Sequence, residues 1–148
     1  MCKLIDPHGR YLPQRRDSNP NILYPGKIGL FGGHREGAET FLGCVVREVY
    51  EEAGYLAGPD QFEHLGTNIG PDREIQGATV VGHYLLRNVL ADSLNVTEGS
   101  LIIVRSEELA DADQPLFESP HQFMRGREVG IRSPCLVARA KILDRLLG

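Results

Sequence analysis

At 148 residues the chain has the length of one domain and can bury a sizeable apolar core. Its 16 Lys and Arg stand against 20 Asp and Glu, a formal charge of −4, with no basic block long enough to follow a nucleic-acid backbone, so a nucleic-acid partner is not expected. No apolar run approaches the roughly 20 residues that span a bilayer, and Met1 to Arg16 lacks an apolar stretch with a small-residue cleavage site. No membrane association is expected, and the cytoplasm is the expected location. Cys2, Cys44 and Cys135 are widely spaced and odd in number, which gives neither a disulfide framework nor a zinc spacing. They read as free thiols.

In chain order, Lys3-Leu4-Ile5 and Tyr11-Leu12 flank the turn-forming Asp6-Pro7-His8-Gly9, which predicts an opening hairpin whose return strand runs toward Arg15 and Arg16. Pro13 has no N–H to give a ladder, so a bulge or a sheet edge is expected there. Pro, Asn and Gly mark a loop from Asp17 to Lys27, and Ile28-Gly29-Leu30-Phe31 is a short strand ending at Gly32-Gly33. Thr40 can cap a helix in which Phe41, Leu42, Val45, Val46, Val49 and Ala53 form one apolar stripe, with Gly54 as its stop. Gly43 inside it costs about 1 kcal/mol relative to Ala, so a close packing contact is expected. Phe62 to Ile69, Ala78 to Asn88 and Leu101 to Val104 read as strands. Ser106 to Ala112 reads as a short acidic helix, and Leu136, Ala140, Leu143 and Leu147 mark an amphipathic closing helix. The alternation implies a single α/β domain over residues 1–148, a mixed sheet covered by helices.

Glu48, Glu51 and Glu52 stand at i, i+3 and i+4, so three carboxylates gather on one side of the predicted helix, beside the apolar stripe. Such crowding is unfavourable without a cation, and hard ions such as Mg²⁺ bind through a few carboxylates plus substrate phosphates. Arg47 is placed to hold Glu51 by charge-assisted hydrogen bonds. A Glu-rich helix face is by itself usually just solvated surface. The wider spacing changes that reading. Gly33, five residues, Glu39, seven residues, then Arg47-Glu48-Val49-Tyr50-Glu51-Glu52-Ala53-Gly54 fit the pattern G-x5-E-x7-R-E-U-x-E-E-x-G-U at every fixed position. At about 7% usage per residue type, chance gives such a match on the order of 10⁻⁸ per start position.

That pattern is the Nudix box, and the chain resembles the Nudix hydrolases from about Leu4 to Leu116. The resemblance implies an α/β/α sandwich and cleavage of a nucleoside diphosphate linked to another moiety. It further implies that Glu48, Glu51 and Glu52 are metal ligands for Mg²⁺, with Mn²⁺ as the alternative, that Arg47 orients the glutamates, that Glu39 lies one shell out, and that Gly33 and Gly54 shape the flanking turns. A homodimer is the family expectation. The chain departs from the pattern at Tyr55, where a small aliphatic is usual, and at Phe31-Gly32-Gly33, where Pro-Gly-Gly is common. The first strand is short for the family, and nothing after Phe117 carries the resemblance.

A bridging diphosphate needs its charge neutralised and a water delivered in line. The base that takes the proton is Glu48 or Glu52, or else Glu98, which precedes a strand as the later-loop glutamate of some family members does; Glu107, Glu108 and Glu118 compete with Glu98. Arg15, Arg16 and Arg35 are candidates for phosphate or base contacts, and equally ordinary surface arginines. His34 is a loop histidine near the box, and Tyr24 and Phe31 could stack on a base or pack in the core. Two substrate classes stand nearly level: (d)NTPs, and nucleoside diphosphate sugars or similar conjugates. The rival class is a Nudix-like nucleotide-binding or sensor module without turnover, ranked lower because every box glutamate is intact.

Overall fold

The computed structural model describes residues 1–22, 24–71 and 78–105. The two expected late helices, and Glu107, Glu108, Glu118 and Cys135, lie outside the described residues. Cys2 and Cys44 are free and buried.

The opening hairpin turn forms for the reason its residues suggest. Asp6 accepts from the backbone N–H of His8 and of Arg10 at 2.9 Å each, and pairs with the Arg10 Nε at 2.6 Å, so one carboxylate organises the turn. Burial pushes the Asp6 carboxyl up, but these N–H groups and the guanidinium outweigh it and hold it below the ordinary value of 3.8.

The strands on either side then part company. Strand β1 (Cys2–Leu4) runs parallel to β5 (Ala78–Leu86), which pairs antiparallel with β4 (Phe62–Pro71), giving the order β1-β5-β4. Strand β2 (Gln14–Arg15) lies between β3 (Ile28–Gly29) and β6 (Ser100–Leu101), antiparallel to both. The expectation of a sheet edge near Pro13 is therefore corrected, because β2 is central. Pro13 is tolerated since it stands just before the first paired residue, and its carbonyl accepts from Ile102 N–H at 2.9 Å. A single bridge between Cys2 and Phe31 ties the two sheets together, and one between Tyr11 and Val104 continues the β2–β6 pairing. The expected strands at 28–31 and 101–104 are shorter as ladders than their apolar runs, each trailing off into one of these bridges. A register shift between His64 and Gly66 interrupts β4.

Helix α1 (Phe41–Ala53) covers this framework as the periodicity predicts. Thr40 Oγ1 accepts from Gly43 N–H at 3.0 Å, and Gly54 ends the helix at φ +63°, a left-handed conformation that Gly adopts without a Cβ penalty. Val45, Val49 and Ala53 are buried against Leu4, Leu12, Phe31, Tyr84 and Leu86. Burying each valine contributes about 1.5–3 kcal/mol. Gly82 on β5 lets the helix approach, because a Cβ there would stand 3.3 Å from the Phe41 side chain. Gly43 has the close contact expected, with side chains at the helix's own start: a Cβ there would stand 3.3 Å from both Glu39 and Thr40. The described residues thus form an α/β arrangement with mixed pairing and one covering helix.

Candidate active site

Because β3 leads through Gly32-Gly33 into the capped helix, the loop and the helix's polar side face each other. Glu52 Oε2 accepts the Gly32 backbone N–H at 2.6 Å. The Glu48 carboxylate lies so close to Gly33 that any Cβ there would stand 2.6 Å from its Oε1. A side chain at position 33 would fill the space that Glu48 uses.

Arg47 is the hub of the helix's acidic side. Its Nη1 reaches Glu48 Oε1 and Glu51 Oε2 at 2.9 Å each, its Nε and Nη2 take the two oxygens of Glu39 at 3.1 and 3.2 Å, and Nη2 also donates to the His34 carbonyl at 3.1 Å. Helix spacing alone paired it with Glu51, and the resemblance had it orient the glutamates; it bonds Glu39, Glu48 and Glu51. A planar guanidinium with five donors suits this, and a lysine would not reproduce it. Glu39 is held below its ordinary value chiefly by the Arg47 guanidinium and then by the Glu36 N–H.

Glu52 lies away from that hub. Burial pushes its carboxyl up to about 7; the charges of Glu48 and Glu98 add to this, while the Gly32 N–H and the Gln14 amide pull the other way. Glu98, which the sequence offered as a rival base, is therefore within electrostatic reach of Glu52. Its loop is fixed by the helix: Asn95 and Thr97 N–H donate to the carbonyls of Ala53 and Glu52 at 2.8 and 2.9 Å, and Thr97 Oγ1 donates to the Glu51 carbonyl at 3.0 Å. These bonds satisfy carbonyls that the end of a helix leaves open. Gly99 follows at φ +99°, where a Cβ would overlap the Arg15 carbonyl oxygen, so the chain can pass β2 only without a side chain.

A cavity of about 170 Å³ opens beside this loop, lined by Gln14, Arg16, Asp17, Asn19, Ile22 and Glu98. Among the expected arginines only Arg16 lines it. Arg15 alternates to the other face of β2. Arg35 lies with its guanidinium 4.4 Å from the centre of the Phe41 ring and donates to the Glu39 carbonyl at 3.3 Å, which braces the helix start. Phe31 is fully buried in the core and His34 contributes its carbonyl to Arg47. The sequence reading missed Gln14, Asp17, Asn19 and Thr97. A glutamine two residues after core Leu12 was the one available signal, and Pro13 obscured it.

The donor set suits a hard divalent ion. Glu48, Glu51 and Glu52 supply only oxygen. Among the described residues no three Asp, Glu, His or Cys side chains are gathered closely enough to hold an ion by themselves.

A model of the NUDIX domain matches residues 1–135. No curated protein matches the sequence. Among solved structures, the fold is similar to a MutT NUDIX hydrolase from Burkholderia pseudomallei, with 24% identity, 80% of this chain and 89% of that one covered, and a TM-score of 0.59. It is also similar to a MutT/nudix family protein from Enterococcus faecalis, at 22% identity over 69% of this chain and a TM-score of 0.55; the match spans 41% of that longer protein. The NUDIX domain of Shewanella oneidensis NrtR, crystallised with ADP ribose, is similar at 21% identity, covering 70% of this chain and 67% of that one, with a TM-score of 0.51. At these identities the solved structures show the fold alone.

Proposed function

Since the chain belongs to the Nudix hydrolase family, we propose that it hydrolyses a diphosphate linkage in a nucleoside diphosphate derivative with the help of a divalent cation. One observation supports the reading: the three box glutamates are intact, with Glu48 and Glu51 bonded to Arg47 and Glu52 accepting the Gly32 N–H. Glu48, Glu51 and Glu52 would hold Mg²⁺ or Mn²⁺. A bound ion would supply Lewis-acid stabilisation of phosphate charge and an acidified water.

The chain's own groups do the rest. Arg47 fixes Glu48 and Glu51 before substrate arrives, so little reorganisation is needed during reaction. Glu48, Glu52 and Glu98 are the candidates to accept the proton in this reading. A group poised near neutrality is suited to general-base work, and the Glu52 carboxyl at about 7 meets that condition before any cation lowers it. Once a cation occupies the site, Glu98 is the better base, because a carboxylate engaged as a ligand is less free to take a proton. Both substrate classes, (d)NTPs and nucleoside diphosphate conjugates, contain the linkage this site would cleave. The protein acts on small nucleotides in this reading.

The test is product identification after incubation with Mg²⁺ and a panel of dNTPs, dinucleoside polyphosphates, ADP-ribose and nucleotide sugars, with EDTA and Glu52→Gln controls. Metal-dependent release of pyrophosphate supports the (d)NTP class, and two monophosphate products support the conjugate class. A folded protein that binds these nucleotides without turning over any of them would overturn the enzyme reading in favour of a binding module.

A further inference from the structure

Gln14 is a polar side chain in a place that normally takes an apolar one. It sits at the centre of the sheet β3-β2-β6 and is 2% exposed. Its Nε2 donates to the Leu30 carbonyl at 3.5 Å, and its amide also acts on Glu52, which fixes which end of the amide is the oxygen. That Oε1 is buried and has no hydrogen-bond partner among the described residues, and Gln14 lines the cavity. The Nε of Arg16, just after β2, is likewise buried without one. Buried polar atoms are nearly always satisfied, and leaving one unpaired carries a full desolvation penalty. One unpaired acceptor and one unpaired donor therefore belong to residues two positions apart that line the same cavity.

The remaining lining narrows what could pair with them. Asp17 and Glu98 bring two carboxylates against the single guanidinium of Arg16, so the cavity disfavours a phosphate and favours a neutral group rich in N–H or O–H donors. Ile22 gives it an apolar wall. Glu98 belongs both to the cavity and to the surroundings of Glu52, so a molecule with its diphosphate at the glutamates would extend its nucleoside toward Gln14.

We propose that Gln14 is a specificity residue: its Oε1 accepts a hydrogen bond from the nucleoside part of the substrate, with Arg16 donating to a neighbouring acceptor on the same moiety. This rests on the diphosphate-cleavage reading and adds to it the part of the substrate that is selected. A base N–H and a ribose O–H share the required chemistry.

The experiment is equilibrium binding of nucleoside monophosphates to the full chain in EDTA, followed by NMR titration, which needs no turnover. GMP against IMP, and AMP against purine riboside monophosphate, each remove one exocyclic amine; 2′-deoxy and 3′-deoxy forms each remove one hydroxyl. In the wild type, deleting the recognised donor should weaken binding about 5- to 100-fold. Gln14→Leu should bring the intact ligand down to the level of the deleted one and leave the deleted one unchanged. Dependence on the amine assigns the base, and dependence on a hydroxyl assigns the ribose. Gln14→Met, a straight-chain substitute, gives the same comparison should the leucine variant fold poorly. A preference that survives both substitutions, or the lack of any donor preference in the wild type, overturns the proposal. Turnover without donor preference would sink this inference alone, whereas binding with donor preference and no turnover would sink the hydrolase reading alone.

Discussion

Gly33→Ala isolates the position of one carboxylate. The new Cβ would stand 2.6 Å from Glu48 Oε1 and 3.0 Å from its Cδ, where ordinary van der Waals contact begins at 3.4 Å. The carboxylate must retreat by about 0.8 Å to restore contact distance. The moving group is the far end of a side chain, so the stability change should stay under about 1 kcal/mol. Activity should not be so tolerant, because misplacing a reacting group by about 1 Å can cost on the order of 10²-fold in rate. Steady-state kcat/KM with Mg²⁺, measured beside a thermal melt, separates the two. Gly29→Ala is the control, since a Cβ at that glycine meets nothing within 4 Å. Activity of Gly33→Ala within twofold of wild type, at an unchanged melting temperature, would refute the claim that Glu48 works from the position the structure gives it.

Glu52→Gln should lower metal-dependent kcat/KM by at least about 10²-fold while the fold survives, read by turnover and circular dichroism; full activity would remove Glu52 from the site. Asp6 has a carboxyl held below its ordinary value of 3.8, so the folded state binds fewer protons there than the unfolded state does. The stability it contributes is complete above that ordinary value and is lost as pH falls through the lower folded value. Asp6→Asn should therefore flatten the acid limb of a stability-against-pH curve, and an unaltered limb would contradict the sign. Gly99→Ala should cost at least about 2 kcal/mol in urea denaturation, since the backbone is left-handed there and the Arg15 carbonyl blocks a side chain.

How much of this was legible in the sequence depends on how local the cause is. The helix from Phe41 to Ala53 was readable because cap, apolar stripe and terminating glycine all lie within fifteen residues and act on that segment alone. The acidic cluster followed from the same period. The separation of β1 and β2 into different sheets was not readable, since it depends on β1 finding β5 from the far side of the sequence. Two-residue strands such as Gln14–Arg15 carry no usable alternation, so the buried Gln14 and its cavity stayed hidden. Arg47 was read as a partner of Glu51 because helix spacing reports i+4 neighbours, whereas Glu39 and His34 come to it through the loop before the helix.

The hydrogen bonds from Asn95 and Thr97 to the last turn of the helix carry a consequence for engineering. Segment 95–98 is an attractive target for exchange, because Glu98 faces the cavity and the segment lies outside the box. Yet two of its amides close the carbonyls of Glu52 and Ala53, so a graft with proline at position 95 or 97 would unravel the helix end that presents Glu52. Loop libraries built here should keep an N–H at 95 and 97, an apolar residue at 96, where Val96 packs against the core, and the carboxylate at 98.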